Sequence, residues 1–353
     1  MQARMLRGVL SLAGLLPLLF GSGAAQSFNF DPIDGPCSDC SGGIALATTA
    51  YGINPAGDIV GTYTDKVGQH GFLRKDGQFM TIDVPASLVG GSPGTKLPTI
   101  ARGISPDGDI VGSFTAPVNS APTDPLWYCP KAGSTYCIKG FLYQHGRFSL
   151  VLYPGQLGTI AQRITPAGGI YGCLHGADMM GSMYGYGMSR SGDTSLQAGN
   201  GELADLTQSL PASMENGATP DGHIRVGLYA SDFMDPTKAF THGYVVEDGI
   251  LRTYDFPGPS GPFQTGPSSP FQTFIWDMNT AGDFVGYFFY VGSPGQRHGF
   301  VQPGNGSAPV TVDYPGAIST SVAGINPGGT IVGQQVDTAK HVHGFVAVPG
   351  ATN

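Results

Sequence analysis

Hydrophobic positions along the chain fall into short runs separated by turn residues, and the same alternation returns along its whole length. Tyr51 to Gly61 reads apolar, Asn-Pro-x-Gly, then Asp-Ile-Val-Gly, and this pattern recurs at 102–112, 163–172, 217–227, 277–286 and 324–333. The copies end at Gly61, Gly112, Gly172, Gly227, Gly286 and Gly333, so they are 47 to 60 residues apart. A second element follows each copy. His70-Gly-Phe-Leu leads through Lys75-Asp76-Gly77 into Phe79 to Pro85, with counterparts from Lys139 to Pro154, His242 to Pro257 and His298 to Pro315. The third copy is degenerate here, with Tyr186-Gly-Met-Ser its nearest match, and the sixth stops after His343-Gly-Phe-Val.

The chemistry of the unit predicts its shape. Asn followed by Pro and then Gly builds a type I turn, because Pro presets φ and the Asn side chain bonds to its own backbone. Asp-Gly between apolar runs signals a tight hairpin. Each unit therefore predicts four short antiparallel strands, here a to d, with tight a–b and c–d turns and longer b–c connections. Such a unit every 40 to 60 residues is the period of propeller blades, about 40–50 residues each. Phe30 to Pro36 matches the fourth-strand sequence Phe79 to Pro85, yet stands ahead of the first unit. The sequence predicts an all-β, six-bladed β-propeller whose N-terminal strand closes the last blade. Residues 27–353 are read as one domain, with blade cores near 47–85, 99–155, 159–198, 214–257, 273–315 and 320–348 plus 28–36.

Composition refines this picture. Gly (56) and Pro (28) approach a quarter of the 353 residues, but 41% hydrophobic content and regular β-branched runs make them turn punctuation rather than disorder. A net charge of −8 with 17 basic residues excludes the Lys/Arg stripe that a nucleic-acid partner requires. At the start, Arg4 and Arg7 precede an apolar stretch from Val9 to Phe20 and then the small residues Gly21 to Ala25. That order reads as a Sec signal peptide over 1–26. It predicts a secreted or periplasmic protein with no membrane attachment after cleavage, expected to be monomeric.

Five cysteines suit an oxidising compartment. Cys129 and Cys137 bracket a short loop and predict a local disulfide. Cys37 and Cys40 form a C-x-x-C read as a disulfide or two thiols, since a zinc site needs a second ligand pair. Cys173 is left over as a small buried residue. The repeats resemble the HAF-type extracellular repeat proteins of bacteria, with His70-Gly-Phe72 as the His-x-Phe element. The resemblance covers nearly the whole mature chain and implies export and a repeat β-fold, but no chemistry and no catalytic residue.

Function is sought where the repeat is broken. In a four-stranded meander the b–c and d–a connections share one face, and the insertions at 115–138, 174–185, 197–213, 230–241, 257–272 and 287–297 all fall there. Loops on a rigid scaffold are where binding concentrates. Trp127, Tyr128, Tyr184, Tyr186 and Tyr290 offer aromatic platforms for a glycan or protein ligand. The first-strand position that is Gly52, Gly103, Gly217 and Gly324 becomes Arg163 and Asp277 in the other two copies, and Arg102 stands beside it. These face the expected channel, as a charge pair or a ligand site. His175 and Asp178 sit in the irregular loop of the third unit.

The repeated His70, His242, His298 and His343 are set far apart by a ring, so they predict hydrogen bonds from blade to blade rather than a metal site. Asp34, Asp83, Asp255 and Asp313 read as strand-end caps. No cofactor and no metal is expected. Two functions are in play: a binding or scaffold module, or a hydrolase or lyase of lactonase-like type with Glu215, Asn216 and Asp277 converging on the channel. A sialidase is disfavoured because Ser105-Pro-Asp107-Gly lacks the Trp of that enzyme's repeated turn.

Overall fold

The computed structural model describes residues 27–117, 136–153, 158–175, 183–189, 212–231, 240–256 and 271–350. Within them, the apolar runs are strands. β1 (Phe28–Ile33) precedes the first unit, which comprises β2 (Ala47–Ile53), β3 (Ile59–Thr64), β4 (Gln69–Lys75) and β5 (Gln78–Thr81). The second unit is β6 (Thr99–Ile104), β7 (Ile110–Pro117), β8 (Tyr136–Gln144) and β9 (Arg147–Val151). The third contributes β10 (Gly158–Ile164), β11 (Ile170–His175) and β12 (Met183–Met188). The fourth holds β13 (Met214–Ala218), β14 (Ile224–Ser231), β15 (Phe240–Glu247) and β16 (Ile250–Tyr254). The fifth holds β17 (Phe271–Met278), β18 (Phe284–Tyr290), β19 (His298–Gln302) and β20 (Val310–Val312). The sixth ends the series with β21 (Ser319–Ile325), β22 (Ile331–Val336) and β23 (Val342–Pro349).

The protein is all-β with a β-propeller arrangement. The second to fifth units each form a separate antiparallel meander, three-stranded in the third unit and four-stranded in the others. Six separate sheets were expected. Instead, the first and sixth units share one eight-stranded sheet, because β2 and β23 meet at a single parallel pair, Ala47 with Val342. β1 pairs antiparallel with β23, from Phe28 opposite Pro349 to Ile33 opposite Gly344. The first strands β2, β6, β10, β13, β17 and β21 touch one another in that order, and β21 touches β2.

One residue type explains how tightly the units are built. Every a–b strand pair carries a register shift, as between Ala50 and Gly52. Opposite the bulge stands the closing Gly of the motif. A Cβ on Gly61 would collide with the Thr49 carbonyl and lie 2.6 Å from the Phe72 ring; the carbonyl collision recurs at Gly112, Gly172, Gly227, Gly286 and Gly333, and the ring contact at all of these but Gly172. The large strand-c side chains Phe72, Phe141, Tyr244, Phe300 and Phe345 fill the space so released and are fully buried.

Hydrogen bonds join the units at two heights. A Thr at the start of every first strand but the fourth accepts from a backbone N–H of the preceding unit: Val84 to Thr99 (3.0 Å), Tyr153 to Thr159 (3.0 Å), Phe256 to Thr273 (2.8 Å), Tyr314 to Thr320 (2.9 Å) and Gly35 to Thr48 (2.9 Å). Ser213 takes the same place for Gly185. At the other end the turn asparagines pass bonds onward, Asn279 to the Asn326 carbonyl, Asn326 to that of Asn54 and Asn54 to that of Ser105. Thr99 also donates to the Leu97 carbonyl at 2.7 Å, so Thr99→Val strands a buried N–H and a carbonyl together. The expected loss is about 1–3 kcal/mol in a urea melt. A loss below a few tenths would show that water replaces the staple.

The repeated histidines correct an expectation. His70 Nδ1 bonds Asp83 (2.7 Å), His242 bonds Asp255 (2.9 Å), His298 bonds Asp313 (3.0 Å) and His343 bonds Asp34 (2.9 Å). Each pair ties strand c to the chain just after strand d of the same sheet, not one blade to the next. The pleat sets this, because the two positions lie side by side on adjacent strands. The second unit has Lys139 and Leu152 at the two places, so both partners change together. One c–d connection is also longer than expected, running from Gln302 to Val310.

Candidate functional site

The first strands approach so closely around the axis that glycine is required there. A Cβ on Gly52 would lie 2.8 Å from the Arg102 carbonyl, and one on Gly324 would lie 2.6 Å from that of Tyr51. Arg163 and Asp277 occupy the same position in the third and fifth units, and their side chains reach each other across the centre. Arg163 Nε lies 2.9 Å from Asp277 Oδ1. Its Nη1 donates to the carbonyls of Arg102 and Gln162, both at 2.8 Å. Its Nη2 donates to Tyr51 (3.1 Å) and to the Ala323 carbonyl. Asp277 Oδ2 in turn accepts from the Ile325 N–H at 3.1 Å. Burial pushes the Asp277 carboxyl above its ordinary range, although Arg163 and two backbone N–H groups pull against that. The channel thus contains a guanidinium hub joining five of the repeats.

Two openings flank this hub. One, about 70 Å³, is lined by the a–b turns, including Asn54, Pro106, Pro166, Asn279 and Pro327. The other, about 100 Å³, opens where the first strands begin and where the b–c connection of the fifth unit returns. Its walls include Thr49, Tyr51, Trp276, Tyr287, Arg297, Ser321 and Gln334. Trp276 bonds the Tyr287 hydroxyl, and burial holds that phenol above its ordinary value. The Arg297 guanidinium stands 4.9 Å from the Tyr287 ring centre, and that of Arg102 stands 5.3 Å from Tyr51. Thr49 donates to Gln334 at 2.6 Å. Ser321 Oγ is buried and has no hydrogen-bond partner among the described residues. This funnel therefore combines the half-buried rings of Tyr51 and Trp276, the Arg297 guanidinium and a hydroxyl without a partner among the described residues, while Tyr287 is buried behind them with Phe274 stacked on its ring at 4.6 Å.

The residues singled out from sequence fare unevenly. Arg102, Arg163 and Asp277 come together at the axis. Glu215, Asn216 and Asp277 do not converge, because each is turned toward a different neighbour. Glu215 is fully buried, 3.7 Å from Arg225, and Asn216 donates to the Ile275 carbonyl at 2.8 Å. His175 is buried, with Nε2 3.1 Å from the sulfur of Cys173. Tyr184 is half-buried on β12, Tyr186 is fully buried in a core, and Tyr290 is exposed against the edge of Phe271. Trp127, Tyr128, Cys129, Asp178 and the side chain of Cys137 lie outside the described residues, and with them the expected Cys129–Cys137 bridge. Cys37 and Cys40 form a disulfide. Sequence reasoning missed Trp276 and Tyr287 as a pair; the signal was a Trp one residue ahead of the charged channel position, facing an aromatic run on the next strand.

No protein-family model matches the sequence, and no curated protein matches it. Among solved structures it is similar to a protein of unknown function from Dyadobacter fermentans, at 9% identity and a TM-score of 0.47, over 91% of this chain and 99% of that one. It is also similar to the β-propeller domain of the Trilobed protease from Pyrococcus furiosus, at 8% identity and a TM-score of 0.42, covering 88% and 96% of the two chains. A dipeptidyl peptidase 4 from Porphyromonas gingivalis aligns at 14% identity and a TM-score of 0.34, over 85% of this chain and 43% of that one. These likenesses are too distant to carry function, and the propeller arrangement rests on the strand pairing and the circular order of contacts described above.

Proposed function

We propose that the chain is an exported, six-bladed binding propeller that takes a carbohydrate ligand in the funnel formed by Tyr51, Trp276, Tyr287 and Arg297. The observation that carries this reading is the pairing of the half-buried Tyr51 and Trp276 rings with a buried Ser321 hydroxyl, unpartnered among the described residues, in the lining of the same opening. A sugar ring has apolar C–H faces that stack on aromatics and hydroxyls that need donors and acceptors, and Arg297, Gln334 and Ser321 offer both. The six-bladed reading treats the eight-stranded sheet as two blades touching at one residue pair, with β1 as the outer strand of the last. Export follows from the signal-like stretch before residue 27, and an HAF-type repeat family is the kinship its His-Gly-Phe elements support.

A hydrolase or lyase built on Glu215, Asn216 and Asp277 gains no support from their contacts, since Glu215 faces Arg225, Asn216 bonds the Ile275 carbonyl and Asp277 bonds Arg163. The test is a glycan-array screen of residues 27–353 with Trp276→Ala and a Trp127→Ala, Tyr128→Ala double variant beside it. Loss of one aromatic ring is expected to weaken binding about fivefold, from roughly 1 kcal/mol of lost aromatic contact. Binding lost only in the double variant would move the site out to the long loops. No specific glycan binding at all would end the carbohydrate reading.

A further inference from the structure

We propose that Asp337, His341 and His343 form a zinc site at the seam where the N-terminal segment meets the sixth unit. The three residues span the β22–β23 connection, and one ligand atom from each lies within 4.8 Å of the other two. Asp337 Oδ2 is 3.5 Å from His341 Nδ1 and 3.5 Å from His343 Nε2. Zinc bonds of 2.0–2.1 Å in a tetrahedron put neighbouring ligand atoms about 3.4 Å apart, so two edges of the site are already formed.

Each donor is aimed by a contact outside the metal position. The backbone N–H of His341 donates to Asp337 Oδ1 at 2.8 Å, which leaves Oδ2 turned to the imidazoles. Asp34 lies 2.9 Å from His343 Nδ1, which leaves Nε2 of the neutral ring as the metal-facing nitrogen. A carboxylate behind a ligating histidine is the usual outer support of a zinc site. His341 is 67% exposed, and a turn of its side chain closes the third edge. The fourth position faces solvent and suits water or an anionic ligand group.

Comparison with the other repeats sets this cluster apart. The first unit has Asp65 3.3 Å from His70 Nε2 with Asp83 behind, but Gly68 and Gln69 stand where a second imidazole would be needed. The fourth unit offers Ser231, not a carboxylate, to His242. Two imidazoles and one carboxylate favour zinc and its transition-metal neighbours over magnesium or calcium. Because Asp34 follows β1, metal held by His343 also fastens the strand that joins the chain's two ends.

The experiment uses untagged residues 27–353 stripped with a chelator and titrated with zinc chloride, by calorimetry and by thermal melting. One zinc per chain is expected, with a melting temperature that climbs with zinc, as binding to the folded form alone requires. His341→Ala, at an exposed turn, is expected to melt like the parent without zinc. Its affinity should fall at least tenfold and its zinc-dependent rise should vanish, with Asp337→Asn behaving alike. Magnesium at the same concentration should leave the melt unchanged. Absence of saturable zinc uptake overturns the proposal, as does uptake that is equal in the parent and both variants.

Discussion

Replacing Arg163 by methionine is expected to cost about 3–5 kcal/mol, the range found when one member of a buried ion pair is removed. Methionine keeps most of the side-chain length, so packing is largely preserved and the change isolates charge and hydrogen bonding. It leaves the buried Asp277 carboxylate without its cation, and it removes the donor from the carbonyls of Tyr51, Arg102, Gln162 and Ala323. Lysine should recover only part of the loss, because an ammonium is a point charge and cannot reach several carbonyls in one plane. Adding Asp277→Asn to Arg163→Met should return some stability, since it removes the orphaned charge. A double-mutant cycle in urea would read the coupling, expected within about 0.5–3 kcal/mol. A single-variant loss under about 1 kcal/mol, the low end for a stranded polar group, would mean that water in the channel serves the carbonyls equally well, and the hub would lose its structural role.

Arg163 and Asp277 mark the boundary of what a single sequence carries. Strand spacing, turn positions and the pairing of the N-terminal segment with the last strand were legible, because Asn-Pro-x-Gly turns and period-two runs are local and recur. Arg163 and Asp277 were legible as departures from glycine at a repeated position. Their contact was not, since it spans 114 residues of chain, from 163 to 277, and depends on ring closure. The Thr48 and Thr99 staples recur four residues ahead of the axial position in every unit, with Ser213 in the fourth. They are not legible in sequence, because a buried hydroxyl looks like any strand Thr until its N–H partner is known. The histidine partners differ from the expectation for a related reason: motif spacing gives the unit but not which adjacent strand a side chain leans toward. His341 broke no repeat rule and only became visible once Asp337 and His343 were seen to face it.

A second departure from the repeat gives the other large effect. Ala50 and Ile59 pack in one core cluster of the first unit, and the same two places hold Ala101 with Ile110, Ala161 with Ile170 and Val322 with Ile331. In the fourth unit they are Glu215 and Arg225, both buried, 3.7 Å apart. Burial pushes the Glu215 carboxyl up to about 8, against the pull of Arg225. The two single variants should therefore differ. Arg225→Ile leaves a carboxyl that can take a proton and stay neutral, so the expected cost is near the 1–3 kcal/mol of an unsatisfied buried polar group. Glu215→Ala leaves a guanidinium that cannot deprotonate, and above about pH 8, where the parent carboxyl is ionised, its cost should reach about 3–5 kcal/mol. Combining Glu215→Ala with Arg225→Ile restores the alanine–isoleucine pair used by three other units, and the double variant should equal the parent or exceed it by about 1–4 kcal/mol. The sign of the pH effect follows from the raised carboxyl. Its favourable contribution is complete below the ordinary value of 4.5 and is lost as pH rises through about 8, so the parent should weaken across that window. The double variant should lose that share of the pH dependence, keeping what His70, Lys139 and Asp277 contribute. Urea melts at the two ends of the window decide the matter: a double variant less stable than either single one would show that the fourth unit needs its ion pair, and that the repeat has been rebuilt around it.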